Sequence, residues 1–314
     1  MSLKRSAEMR PGQAQLLAVA QEMRPELHRY CARLVGSVID GEDVVQDTFA
    51  KILSLEESEM IVSPRGWIFR TAHNRALDLL RNRAIRNSQP LSEALDVIDG
   101  NALDPAEQLL RREAISTAVS RFVLLPVTQR AVVILKDVLD EPLAEIASTI
   151  DLTVDAVKAH LARGRAALRT MNESVEDPPA LGPDSRYTRP SREIARYVSL
   201  FNQRDWTGLR ALLASDVRLN QATHPPRRGA SDVAMFFGTY AKIERIWLRP
   251  AWLEGREVVA VYETREHFRP AYFQWLEWTD GRIATIRDYR YVRYILDGAQ
   301  LRFATPNTAR DKGY

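Results

Sequence analysis

The stretch NESVEDPPALGPDSRYTRP, residues 172–190, divides the chain into two parts that fold by different rules. It holds Pro178, Pro179, Pro183, Pro190 and one glycine. Proline fixes φ and has no backbone N–H to donate, so neither a helix nor an inner strand runs through such a segment. It is expected to be a semi-extended linker. Before it, apolar residues recur at helical spacing. After it come short aromatic and β-branched runs separated by turns. The helical part is interrupted in turn by a polar stretch, QPLSEALDVIDGNALDPAE at 89–107. The expected organisation is therefore a helical domain at 13–88, a linker at 89–107 and a second helical domain at 108–171. The proline-rich linker at 172–190 and an α+β domain at 191–305 complete it. This is a multi-domain chain with two all-α domains and one α+β domain.

A length of 314 residues suits two or three domains. No run approaches the roughly 18 apolar residues of a membrane span, so no membrane partner is expected. MSLKRSAEMRPGQ has cations without an apolar core behind them, unlike a secretory signal. One cysteine, Cys31, excludes an internal disulfide and fits a small core residue in a reducing cytoplasm. The five histidines lack metal-ligand spacing, and there is no glycine-rich phosphate loop. No cofactor and no metal are expected.

The net charge is only +3, but the charges are unevenly placed. Residues 40–60 hold seven acids and one lysine, whereas 63–90 hold six arginines and one aspartate. Adjacent acidic and basic blocks suggest one basic and one acidic partner. A third charged element is VDAVKAHLARGRAALR at 154–169. Val154, Val157, Leu161 and Leu168 form its apolar face, and Ala159, Ala162 and Ala166 lie opposite, edged by cations. A face of small residues can approach another surface closely. Upstream, PLAEIASTI (142–150) is a short helix with Pro142 at its first position and Leu143, Ile146, Ala147 and Ile150 facing inward. Asp151 must take the left-handed backbone of the tight turn, and Thr153 is placed to cap the next helix. Helix, tight turn and basic helix form the helix-turn-helix pattern, whose second helix enters the DNA major groove.

The helix GEDVVQDTFAKIL (41–53) is expected to bury Val45, Phe49, Ile52 and Leu53 and to expose Glu42, Asp43, Gln46, Asp47 and Lys51. It is followed by PRGWIFRTAHNRALDLLRNR. This pair resembles regions 2.2 and 2.3–2.4 of the extracytoplasmic-function sigma factors of the sigma-70 family, and residues 124–169 resemble region 4. The resemblance covers about residues 13–171. It implies a non-enzymatic sigma factor that brings core RNA polymerase to promoter DNA. Glu42, Asp43, Gln46 and Asp47 would meet the clamp helices of the largest polymerase subunit. Trp67, Arg70, Asn74, Arg75 and Arg81 would serve the −10 element, with Asn74 in the base-reading position and Trp67 also matching the family's core tryptophan. Lys158, Ala159, Ala162 and Arg163 would lie nearest the −35 bases, with His160 and Arg165 on phosphates.

Beyond the linker, helix, turn, helix and strand (191–219), a further helix (229–243) and four strands follow. That order resembles the NTF2-like, SnoaL-type cone, and covers about 191–303. Such a domain implies control in cis, through intramolecular contact with the sigma domains, and possible binding of a small molecule. Trp206, Tyr240, Tyr262, Trp275 and Tyr289 are the candidate pocket residues. Asp216, His224, His267 and Asp288 are the candidate acid–base groups, with Asp288 expected to pair with Arg287 or Arg290. Two rival classes are a one-component helix-turn-helix regulator with an NTF2-like ligand domain, and a SnoaL-like enzyme. The first would not need 41–53 and 63–86; the second would need a substrate that turns over.

Overall fold

The computed structural model describes residues 11–55, 61, 63–86, 121–173, 189–265, 269–299 and 301–303. Both linkers' central parts, and the start of the second helical segment, lie outside them. The chain forms two compact units, Met1–Glu176 and Asp177–Tyr314.

The first unit is helical: α1 (Pro11–Glu22), α2 (Arg24–Val35), α3 (Val38–Leu53) and α4 (Pro64–Arg86). A 3-10 turn, Arg121–Leu124, then leads to α5 (Val127–Val133), which runs on into a π turn at Ile134–Val138. Helices α6 (Leu143–Ile150) and α7 (Val154–Glu173) close the unit. Gly36 ends α2 with φ 78°, and a Cβ there would stand 2.5 Å from a Val123 methyl. Left-handed backbone and close approach both select glycine at that point. Ser37 then caps α3 by accepting from the Asp40 N–H at 3.1 Å.

The two helical segments share one core, reaching from Leu16 and Leu27 through Ile68 and Ala72 to Ile134, Ile146 and Leu161. The halves expected as separate domains on either side of 89–107 therefore pack against each other within one unit. A buried cation fastens them: Arg130, 1% exposed, donates to the Leu34 carbonyl at 2.6 Å and to those of Val123 and Leu125 at 2.7 and 2.9 Å. A guanidinium in a low-dielectric interior is costly unless its donors are met, and the three carbonyls take N–H groups of its two terminal nitrogens.

The second unit packs α8 (Arg192–Asn202), α9 (Trp206–Ala211) and α10 (Ala230–Ala241) on a seven-stranded sheet in the order β2-β1-β6-β5-β4-β3-β7. The strands are β1 (Leu213–Gln221), β2 (Arg227–Arg228), β3 (Trp247–Leu253), β4 (Arg256–Tyr262), β5 (Tyr272–Thr279), β6 (Arg282–Asp288) and β7 (Arg302–Phe303). The sheet is mixed and not purely antiparallel: β1, entering before α10, lies parallel to β6. Ser191 and Asp205 cap α8 and α9 through the Ile194 and Gly208 N–H groups. Glu254–Gly255 and Asp280–Gly281 all have positive φ, as two-residue hairpin turns between right-twisted strands require. After Asp288, the last residue of β6, the chain turns and enters a 3-10 helix, Arg293–Gly298.

Candidate nucleic-acid interface

Helix α7 presents the surface that the sequence leads one to expect. Asp151 adopts φ 57° and ψ 50°, and its N–H returns to the Ala147 carbonyl, ending α6. Leu152 follows, and the Thr153 hydroxyl accepts from the Ala156 N–H at 3.2 Å. Val157 and Leu161 are buried, while Lys158, Ala159, Ala162, Arg163, Arg165 and Ala166 are exposed. Val154 departs from the expected apolar face and is 36% exposed. Arg163 lies 3.5 Å from His160 Nδ1, and Lys158 pairs with Asp155 at 3.2 Å. Arg165 is held by Asp137 of the π turn at 3.0 Å.

The basic helix α4 lies partly against the rest of its own unit. Trp67 is half-buried on the core and His73 is buried, its Nδ1 2.7 Å from the Tyr30 hydroxyl. Burial, with a contribution from Arg81, pushes the His73 pKa down to about 4. Asn74 is exposed. Arg75 is paired with Asp47 of α3 at 2.6 Å, and Arg81 with Asp78 at 3.1 Å. Arg65 joins Glu26 at 2.7 Å and also Glu141, ahead of α6. Arg70 donates to the carbonyl of Ser148, and its hydroxyl at 3.3 Å. Arg65 and Arg70 are thus bound to the helix-turn-helix segment, a use that no local pattern in the sequence could reveal.

The acidic helix α3 needs one correction. Glu42 is not on its surface: it is 0% exposed and ion-paired with Arg24 of α2. Arg24 in turn lies over the Phe49 ring at 4.5 Å. The carboxylate at this position is structural. Asp43 and Gln46 are half-buried and Asp47 is exposed, whereas Leu53, expected inside, is 57% exposed.

In the second unit, none of the acid–base candidates converge among the described residues. Asp216 and His224 are exposed, His224 stacks on Tyr291 at 4.2 Å, and His267 lies outside the described residues. Asp288 is fully committed inside the unit. Its Oδ2 accepts from Tyr240 at 2.7 Å and Gln274 at 3.0 Å, and its Oδ1 accepts from the Arg290 backbone N–H at 2.8 Å. Tyr240 also meets Tyr272 at 2.8 Å, and Tyr197 donates to Gln274 at 3.0 Å. Burial raises the Asp288 pKa against these bonds. The expected pairing with an arginine side chain is replaced by this network. Tyr240, Tyr262 and Tyr289 are core residues, and Trp206 and Trp275 are half-buried under Arg204 and between Arg256 and Arg287, respectively. Among the described residues no helix is long and apolar enough to cross a membrane, and no His, Cys, Asp and Glu cluster could hold a metal.

Three family models match. Residues 19–85 match sigma-70 region 2, 122–168 match sigma-70 region 4, and 194–286 match a SnoaL-like domain. Both sigma-70 regions fall in the first unit and define its class. The first unit thus carries both sigma-70 regions and the second a SnoaL-like domain, and the chain is similar to extracytoplasmic-function sigma factors. It is 32% identical over 211 residues to the ECF RNA polymerase sigma factor SigG of Mycobacterium tuberculosis, covering 60% of this chain and 56% of the relative. It therefore spans about half the length of the curated relatives it matches first. The ECF RNA polymerase sigma factor SigW of Bacillus subtilis is 24% identical over 179 residues, covering 54% and 95%. The crystal structure of Mycobacterium tuberculosis SigJ aligns over 90% of this chain and 98% of that one, at 18% identity and a TM-score of 0.32.

Proposed function

We propose that this chain directs core RNA polymerase to specific promoters and that its SnoaL-like unit tunes that activity in cis without catalysing a reaction. The observation that carries the reading is the surface of α7. A left-handed Asp151 turn delivers a helix whose exposed row, Lys158, Ala159, Ala162 and Arg163, can enter a major groove. A DNA reader alone would not require an acidic helix with Asp47 outward beside a basic helix with Asn74 outward. A polymerase subunit that also handles a melted element would. Control in cis draws support from the covalent tether, which keeps a weakly interacting unit at a local concentration on the order of millimolar. The commitment of Asp288 to Tyr240, Gln274 and Arg290 supports a scaffold role for the buried carboxylate over a base role.

The test is run-off transcription by purified core enzyme on genomic fragments, with the full chain and with a chain ending at 176. Core-dependent initiation at defined promoters is expected, with the two forms differing in yield at equal concentration. Binding to DNA without any core-dependent initiation would instead identify a one-component regulator. Equal yields from both forms, with and without cell extract, would remove the cis role.

A further inference from the structure

At one end of the SnoaL-like sheet, a cleft of about 580 Å³ opens between the C-terminus of α8, the segment leading into β3 and the residues after β4. Its volume falls within the range of small-molecule sites. Arg204, Arg245 and Arg265 line it, against the single carboxylate of Glu244. Like charges gathered around a concavity raise the local concentration of anions.

Arg204 is the unusual member. It has φ 62°, directly after α8, where its N–H reaches the Phe201 carbonyl at 3.0 Å. Glycine ordinarily fills such a position, because a side chain there strains the backbone. What the chain gains for that strain is a guanidinium fixed in the cleft wall. It lies 5.7 Å from the ring centroids of both Phe201 and Trp206, and donates to the carbonyls of Glu244 and Ile246. Its Nη1 is nevertheless buried without a hydrogen-bond partner among the described residues. An unmet guanidinium donor is a group for which an ordered ion or water is the usual complement. Arg265 is exposed and stacked over the Trp247 ring at 4.3 Å, and Arg245 is exposed beside it.

We propose that this cleft is a binding site for a small oxyanion, a carboxylate or phosphate group, with Arg204 as its fixed cation and Arg245 and Arg265 as its exposed ones. The guanidinium fork matches both groups in geometry. None of the residues lining the cleft belongs to the Tyr240–Asp288 network. It stands on the second unit alone, whatever the first unit does on DNA.

The test titrates the full chain with sodium benzoate and, separately, with inorganic phosphate, by calorimetry at low ionic strength without DNA or polymerase. The Trp247 indole N–H is followed by NMR. One-site saturable binding of at least one anion is expected, with a shift of the Trp247 signal. The Arg245→Ser/Arg265→Ser double variant alters two exposed residues and leaves the packed Arg204 in place. It is expected to bind about tenfold more weakly. Benzoate alone or phosphate alone would support the site and assign its chemistry. No saturable binding of either anion, or equal affinity in the double variant, would overturn it.

Discussion

Arg163 and His73 show how far a single side chain can be read. Arg163 is exposed beside the alanine row of α7 and held by no acid among the described residues. Its guanidinium is free to reach a guanine edge, a contact worth about 1–3 kcal/mol of discrimination. Arg163→Ala is expected to weaken binding to a matched −35 site by that amount, and to a mutated site by much less. A gel-shift comparison of the two sites at one salt concentration decides it, since equal losses would make the residue a phosphate contact. His73 acts on stability. Its pKa falls to about 4 in the folded chain from an ordinary 6.5, because burial disfavours the imidazolium. The unfolded chain therefore binds the proton first as pH falls. The stability from keeping this ring neutral is present above 6.5 and is lost as pH falls toward 4. The span corresponds to about 3 kcal/mol. Urea unfolding at pH 7.5 and 4.5 is expected to show a pH-dependent loss in the native chain that exceeds the loss in His73→Gln by roughly that amount.

At the scale of elements, what was legible was what neighbours in sequence decide. The Asp151 turn, the Thr153 cap, the exposed alanines of α7 and the strands at 247–253, 256–262 and 272–279 all follow from spacing and turn chemistry over a few residues. The departures come from partners distant in the chain. Glu42 reads as a surface acid of α3, yet it is buried because Arg24 of α2 reaches it. Asp288 reads as an arginine partner, yet Tyr240 and Gln274, on other elements, take its oxygen. The parallel placement of β1 beside β6 likewise leaves no mark in either strand's sequence. The distinction within α3 is testable. Glu42→Gln leaves the Arg24 charge buried without its counter-ion, and should cost about 3–5 kcal/mol in a denaturation experiment. Asp47→Lys should change stability by less than about 1 kcal/mol, since its exposed pair with Arg75 contributes little. It should nonetheless abolish binding to core polymerase in a direct assay. Unchanged core affinity would take this face of α3 out of the interface.

At the scale of the first unit, the packing poses a geometric problem for promoter binding. The −10 and −35 elements lie about 25 base pairs apart by their names, or about 85 Å along the duplex at 3.4 Å per pair. Yet Arg70 of α4 bonds directly to Ser148, just ahead of a recognition helix of 20 residues, which is about 30 Å long. One packed unit with these contacts cannot lay α4 and α7 on both elements at once. For the proposed promoter binding the shared core would have to part, with Arg65 leaving Glu141 and Arg70 leaving Ser148. The same step frees Arg70 for a phosphate, while Arg65 keeps its pair with Glu26. The packed form is then a reservoir, and whatever weakens it should raise the apparent affinity for core enzyme and promoter. Glu141→Lys places a cation against Arg65, whereas Glu145→Lys changes charge equally on an exposed face of α6. Loss of a partly exposed ion pair shifts the balance by about 1 kcal/mol, or about fivefold in population. Run-off transcription at limiting core enzyme should therefore rise by up to about fivefold for Glu141→Lys and stay near the native level for Glu145→Lys. Energy transfer between dyes on α3 and α7 should fall for the first substitution alone. An equal rise with both would trace the effect to net charge, and no rise with either would mean that the packed form does not limit initiation.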